Sequence, residues 1–436
     1  MRKQVQEDTT LIISGPASAT MVEGKATVLG MELTIGQKMV VRQGKSLPFE
    51  AEGNTSLDIV LGAEAHFNVV EGSTIPDSWR RAVAEVLSHR KPCTVMVLGD
   101  VDAGKTSFST FLINKSLQCK VLPSIIDVDL GQSDIGPPTA IGFSFISKPS
   151  IDLFSEKPAV IFFTGQTSAK GITQRVGSGL EAILSQVPEG KGDLTVINTD
   201  GWISGNGAHS YKKGLIRKAR SEVIIGIQRS DELEPILSPM EKEGFKALRL
   251  SASPAVKKRG REERQAMREQ SYKKYLGEPT VRSLQMNWVE LEYTPLGQGN
   301  RVDVTRVVTL EKALRTKIVY CEERGQEIFI VIDKTGIVDE EDVSAAETLY
   351  QKDVYVVKEG DENGLLVSLL NNNRDFLGLG ILSKLDYKNR VLKICTSCKD
   401  KISIVQFGQV KISKAGNELG ITTAFSPKIK APKPVT

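Results

Sequence analysis

Residues 93–107 read CTVMVLGDVDAGKTS, and this stretch decides the fold of the chain. CTVMVLG is almost wholly apolar and predicts a buried strand, and a helical pattern begins at Gly104. Between them, GDVDAGKT fits the motif GxxxxGK[ST], whose backbone N–H groups surround phosphate at a helix N-terminus. In this motif the lysine reaches the β- and γ-phosphates and the Thr106 hydroxyl ligates Mg²⁺. The predicted phosphate-binding residues are Gly99, Asp100, Val101, Asp102, Ala103, Gly104, Lys105, Thr106 and Ser107.

The sequence beyond the loop alternates between apolar runs and helical patterns. VLPSIIDVD, AVIFFTG, DLTVINTD, EVIIGI and KALRLS each predict a strand. Near-continuous apolar strands that alternate with helices indicate a mostly parallel sheet covered on both faces. We therefore predict an α/β domain over residues 73–280.

Short β-rich runs stand on both sides of the predicted α/β domain. Residues 1–72 contain several such runs, most of them closed by glycine, and they predict a small all-β domain, a sandwich. Residues 281–426 again read as strands and predict a β-rich C-terminal domain. The Pro/Lys-rich residues 427–436 predict a frayed tail.

The composition narrows the class of protein. The 436 residues carry 57 Lys+Arg and 53 Asp+Glu, so the net charge of +4 excludes a generally polycationic chain. No run of eighteen apolar residues occurs and the first residues lack the apolar core of a secretory signal, so we expect no membrane. Five cysteines predict a reducing compartment, the cytoplasm, or the nucleus if the source is eukaryotic. Cys395 and Cys398 form one CxxC without a second pair, so no zinc site is predicted.

Positive charge is concentrated in residues 257–274, which hold eight Lys/Arg and three Glu. If residues 261–276 are helical, Arg261, Arg264 and Arg268 have no acid three or four positions away. Guanidinium groups without helical partners suit phosphoryl oxygens, so we predict a phosphate-gripping lid over residues 257–276. The alternatives are a solvated basic helix and a nuclear import signal.

Two carboxylates close the next predicted strand. Asp127 and Asp129 are separated by one residue, and side chains at that spacing point to the same face of a strand. At the C-terminal edge of a parallel sheet they would face the ligand crevice. One would hold the water shell of Mg²⁺ and the other would accept the proton of an attacking hydroxyl, and we place Asp129 first. The alternative is a polar strand end with capping aspartates.

Two further strand ends carry candidate nucleic-acid contacts. Trp202 closes the string TDGW, and a tryptophan at the ligand edge of the sheet can stack a nucleobase. Thr167 follows AVIFFTG in a similar position. We predict that both contact RNA, and the alternative for Trp202 is packing under a loop.

Taken together, GDVDAGKT, DVDLGQSDIGPPTAIG, TDGW and the arginine-rich lid resemble the polynucleotide 5′-hydroxyl kinases. That family includes the RNA kinase subunit of the mRNA cleavage and tRNA-splicing machinery and the ribosomal-RNA processing kinases. The chain is most similar to the compact archaeal members, and the resemblance covers nearly all of it.

The resemblance implies a role for several residues. Lys105 and Thr106 match the phosphate-loop lysine and the Mg²⁺-ligating hydroxyl, and Asp129 matches the carboxylate that acts on the 5′-hydroxyl and the metal. Gln132 and Trp202 match residues that contact RNA. The spacing of the family's lid arginines selects Arg259, Arg264 and Arg268, whereas the helical count favours Arg261 over Arg259.

The implied activity is ATP-dependent phosphorylation of the 5′-hydroxyl of single-stranded RNA, with Mg²⁺ or another divalent metal. Single-stranded DNA is kept as a second substrate, and RNA-processing proteins are the expected partners. Two alternatives stay open. One is a nucleotide-holding scaffold without turnover, and the other is a regulatory P-loop NTPase switch, for which no NKxD-like guanine-reading motif is found.

Overall fold

The computed structural model describes residues 1–187, 192–256 and 258–426. They form two compact units, one over residues 1–268 and one from residue 269 onward. No helix in these ranges is long and apolar enough to span a membrane. The predicted domain boundaries near residues 72 and 280 stay predictions. The predicted frayed tail, residues 427–436, and the first residue of the predicted lid lie outside the described residues.

The first nine strands form two antiparallel sheets that share one core. In β7, SLPFEA, buried residues alternate with half-buried ones, as expected for a strand with one face inside. The sheets run in the order β1-β8-β3-β6 and β5-β4-β7-β2-β9. Leu11 and Phe49 of one sheet and Met21 and Ile59 of the other belong to the same core, which confirms the small all-β N-terminal part. The strands are β1 (Arg2–Val5), β2 (Thr9–Ser14), β3 (Ala17–Glu23), β4 (Ala26–Val28), β5 (Met31–Glu32), β6 (Lys38–Val41), β7 (Ser46–Ala51), β8 (Thr55–Leu61) and β9 (His66–Glu71).

The predicted α/β architecture follows. Its elements are α1 (Asp77–Ser88), β10 (Cys93–Gly99), α2 (Lys105–Gln118), β11 (Pro123–Asp127), β12 (Ala140–Phe145), β13 (Val160–Phe163), α3 (Thr173–Gln186), β14 (Leu194–Asn198), α4 (Asn206–Ala219), β15 (Val223–Gln228), α5 (Glu234–Lys242), β16 (Lys246–Ser251) and α6 (Arg261–Leu276).

These strands form one seven-stranded sheet in the order β13-β12-β11-β14-β10-β15-β16. Five of them are mutually parallel, which confirms the mostly parallel sheet. Two details differ from the prediction. The strand AVIFFTG lies antiparallel to β12, and β12 itself, AIGFSF, was not predicted. No α-helix separates β11, β12 and β13, and without a crossover helix the chain returns in the antiparallel direction.

The central strand β10 explains the continuous apolar run in the sequence. Val95 and Val97 pack into the core on one face of the sheet, and Met96 and Leu98 pack into the core on the other. Because both faces of the strand are buried, its apolar residues do not alternate with polar ones. Because β10, β11 and β14 are parallel, the loops after all three emerge at the same edge of the sheet.

The second unit is β-rich, as predicted. Its sheets run in the order β17-β25-β24-β23-β26-β18, with β27 paired to β26, and β19-β20-β21-β22. The helices α7 and α8 were not predicted, although Asp303 and Asp339 accept backbone N–H bonds at their starts and gave an N-cap signal. The elements are β17 (Thr280–Gln285), β18 (Glu290–Glu292), β19 (Asn300–Arg301), α7 (Val304–Ala313), β20 (Ile318–Arg324), β21 (Glu327–Ile332), α8 (Glu340–Tyr350), β22 (Asp353–Lys358), β23 (Leu365–Leu370), β24 (Phe376–Asp386), β25 (Val391–Thr396), β26 (Ile404–Ile412) and β27 (Glu418–Ile421).

Candidate active site

The loop between β10 and α2 turns tightly at two glycines. A Cβ atom on Gly99 would lie 2.9 Å from the carbonyl oxygen of Ile227. Gly104, the N-cap of α2, has a φ of +100°, and a Cβ there would lie 3.2 Å from the ring of Trp79. Only glycine meets these conditions without strain, so the loop has the backbone that the phosphate-binding motif requires.

A cavity of about 430 Å³ lies against this loop. It brings together thirteen of the residues that the sequence singled out. They are Val101, Asp102, Ala103, Gly104, Lys105, Thr106, Ser107, Asp129, Gln132, Thr167, Trp202, Arg259 and Arg264. Four other predicted residues, Gly99, Asp100, Asp127 and Arg268, do not line the cavity. The predicted catalytic and binding roles of all these residues remain predictions.

Lys105 is the first residue of α2 and only 6% exposed. Its Nζ donates a hydrogen bond of 2.7 Å to the carbonyl oxygen of Asp100 within the loop. Burial lowers the pKa of Lys105, and the nearby Asp129 carboxylate opposes that shift. The lysine is therefore held inside the loop, beside the cavity that a phosphate would enter.

Asp129 is the carboxylate that reaches the cavity. Its Oδ1 accepts hydrogen bonds from the backbone N–H groups of Gly131 (3.1 Å) and Gln132 (3.0 Å), which fix its orientation. Burial raises the pKa of Asp129, while Lys105 and these two N–H donors lower it. The arrangement places a desolvated carboxylate beside the phosphate-loop lysine.

Asp127 does not share that position, and the expectation that both carboxylates face the crevice is wrong. The strand β11 ends at Asp127, so the alternation of side chains no longer applies two residues later. Asp127 is 1% exposed, and it accepts hydrogen bonds from Asp134 N (2.7 Å) and Asn198 Nδ2 (3.0 Å). Burial, followed by the charges of Asp129 and Asp134, raises the pKa of Asp127 to about 7. Its hydrogen bonds organise the loop beneath the cavity.

The surroundings of Asn198, at the end of β14, show whether a divalent cation would fit near Thr106. Its Nδ2 lies 3.4 Å from the Thr106 hydroxyl, and its buried Oδ1 has no hydrogen-bond partner among the described residues. An unsatisfied buried acceptor suits a hydrated cation, because the cation's coordinated waters donate hydrogen bonds. No group of three or more His, Cys, Asp or Glu in the described ranges is arranged to hold a metal ion. The residues fit a cation that keeps most of its waters.

The lid arginines have a counter-ion that the sequence count missed. Arg259 donates to both carboxylate oxygens of Asp102 through its backbone N and Nη1, each at 2.9 Å. Arg264 Nη1 lies 3.3 Å from Asp102 Oδ2. The expectation of lid arginines without a partner is therefore wrong for Arg264. Its partner, Asp102, lies in the phosphate loop and not three or four residues away in the same helix.

Gln132 connects the Asp129 loop to the lid. Its Nε2 donates a hydrogen bond of 3.1 Å to the backbone carbonyl oxygen of Arg264. Thr167 stands on the other side, where its own carbonyl oxygen would be 3.0 Å from a Cβ on Gly131. Gln132 and Thr167, two of the three predicted RNA contacts, thus lie at the cavity beside the loop of Asp129.

Trp202 lies in the loop after β14, half-buried at the cavity. Its indole stacks on Tyr211 with ring centroids 5.7 Å apart and an angle of 26° between the rings. Its backbone N–H donates to Asp200 Oδ1 at 2.9 Å. The tryptophan is therefore held in a fixed orientation with part of its ring accessible.

Comparison with known proteins identifies the central segment. Residues 99–278 match a family model described as the P-loop of the mRNA cleavage and polyadenylation factor CLP1. This segment is therefore similar to the P-loop region of that family. The match begins at the first glycine of the loop and extends past the lid arginines. The predicted resemblance to the polynucleotide 5′-hydroxyl kinases is confirmed.

Curated relatives extend this similarity beyond residues 99–278. A polyribonucleotide 5′-hydroxyl kinase of Methanocaldococcus jannaschii is 28% identical over 354 residues, which are 80% of this chain and 94% of that protein. One of Pyrococcus abyssi is 29% identical over 352 residues, 80% of this chain and 95% of that protein. The polyribonucleotide 5′-hydroxyl kinase Clp1 of Gallus gallus is 27% identical over 225 residues, 47% of this chain and 52% of its own.

A solved structure shares the fold. Wild-type Clp1p, in a complex with Pcf11p, matches with a TM-score of 0.65 at 11% identity, covering 94% of this chain and 97% of that chain. A second structure of the same two proteins gives a TM-score of 0.66. At this identity the likeness concerns the fold alone, and it agrees with the predicted fold class.

Part of the cavity wall comes from the N-terminal strands β2 and β7 and the residue before β7, where the sequence suggested no site residue. Ile12, Lys45 and Leu47 line it. Lys45 Nζ lies 2.5 Å from Asp134 Oδ2, in the loop that follows Asp129. Nothing in the short β-rich runs indicated this contact, because a strand pattern reports one buried face and not what faces it.

A second group that the sequence missed lies on α4. Tyr211 Oη donates to Asp200 Oδ2 at 2.9 Å, and Lys212 Nζ donates to the Asp200 carbonyl oxygen at 2.8 Å. The string HSYKKGLIRKAR reads as an ordinary basic helix, whose lysines are expected in water. Lys212 is instead fully buried.

Proposed function

We propose that this protein is an ATP-dependent polynucleotide kinase that transfers the γ-phosphoryl group of ATP to the 5′-hydroxyl of RNA. The observation that carries the proposal is that one cavity is lined by the phosphate loop, Asp129, two lid arginines and Trp202. A phosphate loop and a carboxylate serve many kinases, whereas an aromatic ring beside them suits a nucleic-acid acceptor. The archaeal relatives, which match 80% of this chain, are named as polyribonucleotide 5′-hydroxyl kinases.

The loop binds the triphosphate through its backbone N–H groups. Lys105, which donates to the Asp100 carbonyl oxygen without nucleotide, turns to the β- and γ-phosphates when ATP binds. Thr106 would ligate Mg²⁺, and the buried Oδ1 of Asn198 would accept a hydrogen bond from water around the cation. Bound Mg²⁺ neutralises charge on the β- and γ-phosphates.

Asp129 acts on the acceptor. Two backbone N–H groups hold its Oδ1, so the carboxylate is oriented before substrate arrives. It positions the 5′-hydroxyl for in-line attack on the γ-phosphorus and accepts the hydroxyl proton as the new P–O bond forms. The bond to the β,γ-bridging oxygen breaks, and ADP leaves.

Arg259 and Arg264 act on the transferred group. Both rest on Asp102, a loop carboxylate that also lines the cavity. When the γ-phosphoryl group enters, the forks exchange part of this contact for phosphoryl oxygens and neutralise the charge that develops there.

The proposal extends to the protein's setting. A stacking contact does not distinguish RNA from DNA, so single-stranded DNA is proposed as a second acceptor. We place the protein in the cytoplasm, or in the nucleus of a eukaryote, together with other RNA-processing proteins.

A direct phosphotransfer assay tests the function. The protein is incubated with γ-labelled ATP, Mg²⁺ and 5′-hydroxyl RNA or DNA oligonucleotides, with Lys105→Met as the matched control. We expect label at the 5′ end with the wild type and none with the variant. ATP binding without transfer would instead support a scaffold, and hydrolysis independent of any oligonucleotide would support a regulatory switch.

A further inference from the structure

Two neighbouring residues of α4 hold the loop that carries Trp202. Lys212 Nζ contacts both the backbone carbonyl oxygen of Asp200 (2.8 Å) and its carboxylate (3.0 Å). Tyr211 Oη donates to the other carboxylate oxygen at 2.9 Å, and the Trp202 backbone N–H donates to Asp200 Oδ1. The backbone and the side chain of one loop residue are thus fixed from the same helix.

The charge of Lys212 indicates that this arrangement serves more than packing. Its side chain has no exposed surface, whereas that of Asp200 is 14% exposed. An apolar side chain of similar size often stabilises a core as well as or better than a buried ion pair, because both ions lose their hydration. An ion pair does, however, select one geometry. Lys212 also lies outside the cavity lining, so it does not contact a bound substrate, and its hydrogen bonds are to Asp200.

The indole of Trp202 is confined from several sides. Tyr211 covers one face of the ring. A Cβ on Gly207 would lie only 3.5 Å from Trp202 Cζ2, so α4 also packs closely along the ring edge. A Cβ on Gly201 would lie 2.5 Å from a methyl group of Val101, so the same loop packs against the phosphate loop. The ring therefore has a defined position relative to the phosphate loop.

We propose that Tyr211 and Lys212 are positioning residues that hold Trp202 as a preformed platform for the 5′-terminal base of a single-stranded polynucleotide. This inference rests on the proposed function. A ring that is already ordered loses little freedom when a base stacks on it, so the affinity is higher than for a mobile ring. Stacking accepts any base, so acceptors that differ only in their 5′-terminal base have similar KM values.

Four substitutions test this inference through KM and kcat for a 5′-hydroxyl RNA oligonucleotide. Tyr211→Leu removes the stacked ring and Lys212→Met removes the buried cation, and each should raise the oligonucleotide KM about fivefold or more. For Tyr211→Leu, the KM for ATP and kcat should change less than twofold. Tyr211→Phe keeps the ring and should retain most of the affinity. Lys213→Met, a half-exposed neighbour on the same helix, is the matched control and should behave like the wild type.

A double-mutant cycle with Trp202→Ala separates positioning from general stability. In the Trp202→Ala background, Tyr211→Leu should leave the oligonucleotide KM almost unchanged, because the platform is already lost. An equal rise of KM in both backgrounds would overturn the inference. If Lys212→Met does not fold, the Tyr211 cycle decides alone.

Oligonucleotide binding, measured by fluorescence anisotropy without ATP, distinguishes a failure of the proposed kinase function from a failure of the platform inference. If the wild type binds RNA but transfers no phosphoryl group, the proposed function fails, and the same variants still test the platform through their Kd. If the wild type is an active kinase and neither Tyr211→Leu nor Lys212→Met weakens RNA binding, the platform inference alone is wrong.

Discussion

At the scale of single residues, two neighbouring aspartates have different environments although they look equivalent in the sequence. Asp127 is surrounded by donors from Asp134 and Asn198, whereas Asp129 lines the cavity beside Lys105. A carboxylate engaged by the surrounding loop stabilises that loop. A carboxylate at a cavity is available to a substrate. Substitution of the two aspartates should therefore have different effects.

We expect Asp129→Asn to lower kcat about 10²–10⁴-fold with little change in ATP affinity, because a general base acts mainly in the transition state. Asp127→Asn should instead lower the free energy of unfolding by about 1–3 kcal/mol, since one of its backbone donors loses its acceptor. Steady-state kinetics, ATP binding by calorimetry and denaturant unfolding measure both variants. Normal turnover with weakened ATP binding in Asp129→Asn would contradict the assignment.

At the scale of elements, α6 and the phosphate loop are joined through Asp102. The sequence gives Arg261, Arg264 and Arg268 no acidic partner within the helix. The structure pairs Arg259 and Arg264 with one carboxylate. Asp102 therefore keeps the arginine forks at the phosphate site before nucleotide arrives.

Asp102→Asn should release the start of the lid. We expect faster amide hydrogen exchange over residues 258–268 in the nucleotide-free variant, because the amide keeps the size of the side chain but removes the ion pairs. A non-hydrolysable ATP analogue should restore part of the protection in the variant. Equal exchange in the wild type and the variant without nucleotide would show that Asp102 does not hold the lid.

The planar fork of Arg264 gives a second prediction for this element. Arg264→Lys keeps the charge but loses the paired N–H donors, so kcat should fall at least about tenfold if the fork contacts the transferred phosphoryl group. The expected loss is smaller than for complete removal of such an arginine, because Arg259 remains. Arg261→Lys, at the exposed first residue of α6, is the control. A turnover of Arg264→Lys equal to that of the control would reduce this segment to a solvated basic helix.

At the scale of the whole molecule, the first unit has a core that runs from the N-terminal strands into the phosphate-binding sheet. Phe49 of β7 and Val97 of β10 belong to the same cluster of buried side chains. Residues of β2 and β7 also line the cavity. The stability of the N-terminal strands and the integrity of the nucleotide site should therefore be coupled.

Phe49→Ala should lower the free energy of unfolding by about 3–5 kcal/mol, since it leaves a cavity in the shared core. We expect the variant to lower the temperature of the same calorimetric transition that an ATP analogue raises. At a hundredfold excess over its Kd, the analogue should add about 2.7 kcal/mol to the free energy of unfolding. Lys3→Ala, with its half-exposed side chain on β1, is the control. If the variant and the ligand shift two different transitions, the N-terminal strands unfold independently of the site.

The sequence by itself determined the phosphate loop, the mostly parallel sheet and the edge at which Asp129, Thr167 and Trp202 meet. These features follow from local patterns, because a buried strand, a glycine-rich loop and a helix each leave a short signature. Parallel pairing then brings the loops after β10, β11 and β14 together. The antiparallel strand β12 and the helices α7 and α8 were missed, since short or capped segments between strong patterns carry little periodicity.

Only the tertiary structure decided which charges meet. Asp102 pairs with Arg259 and Arg264, and Lys212 lies buried against Asp200 although its helix reads as exposed and basic. The periodicity of a segment reports which of its faces is buried, and it contains no information about the residue that a distant segment places opposite. Ion pairs and ring stacks form between such segments over a few ångströms, so they follow from the packed fold and not from any local pattern.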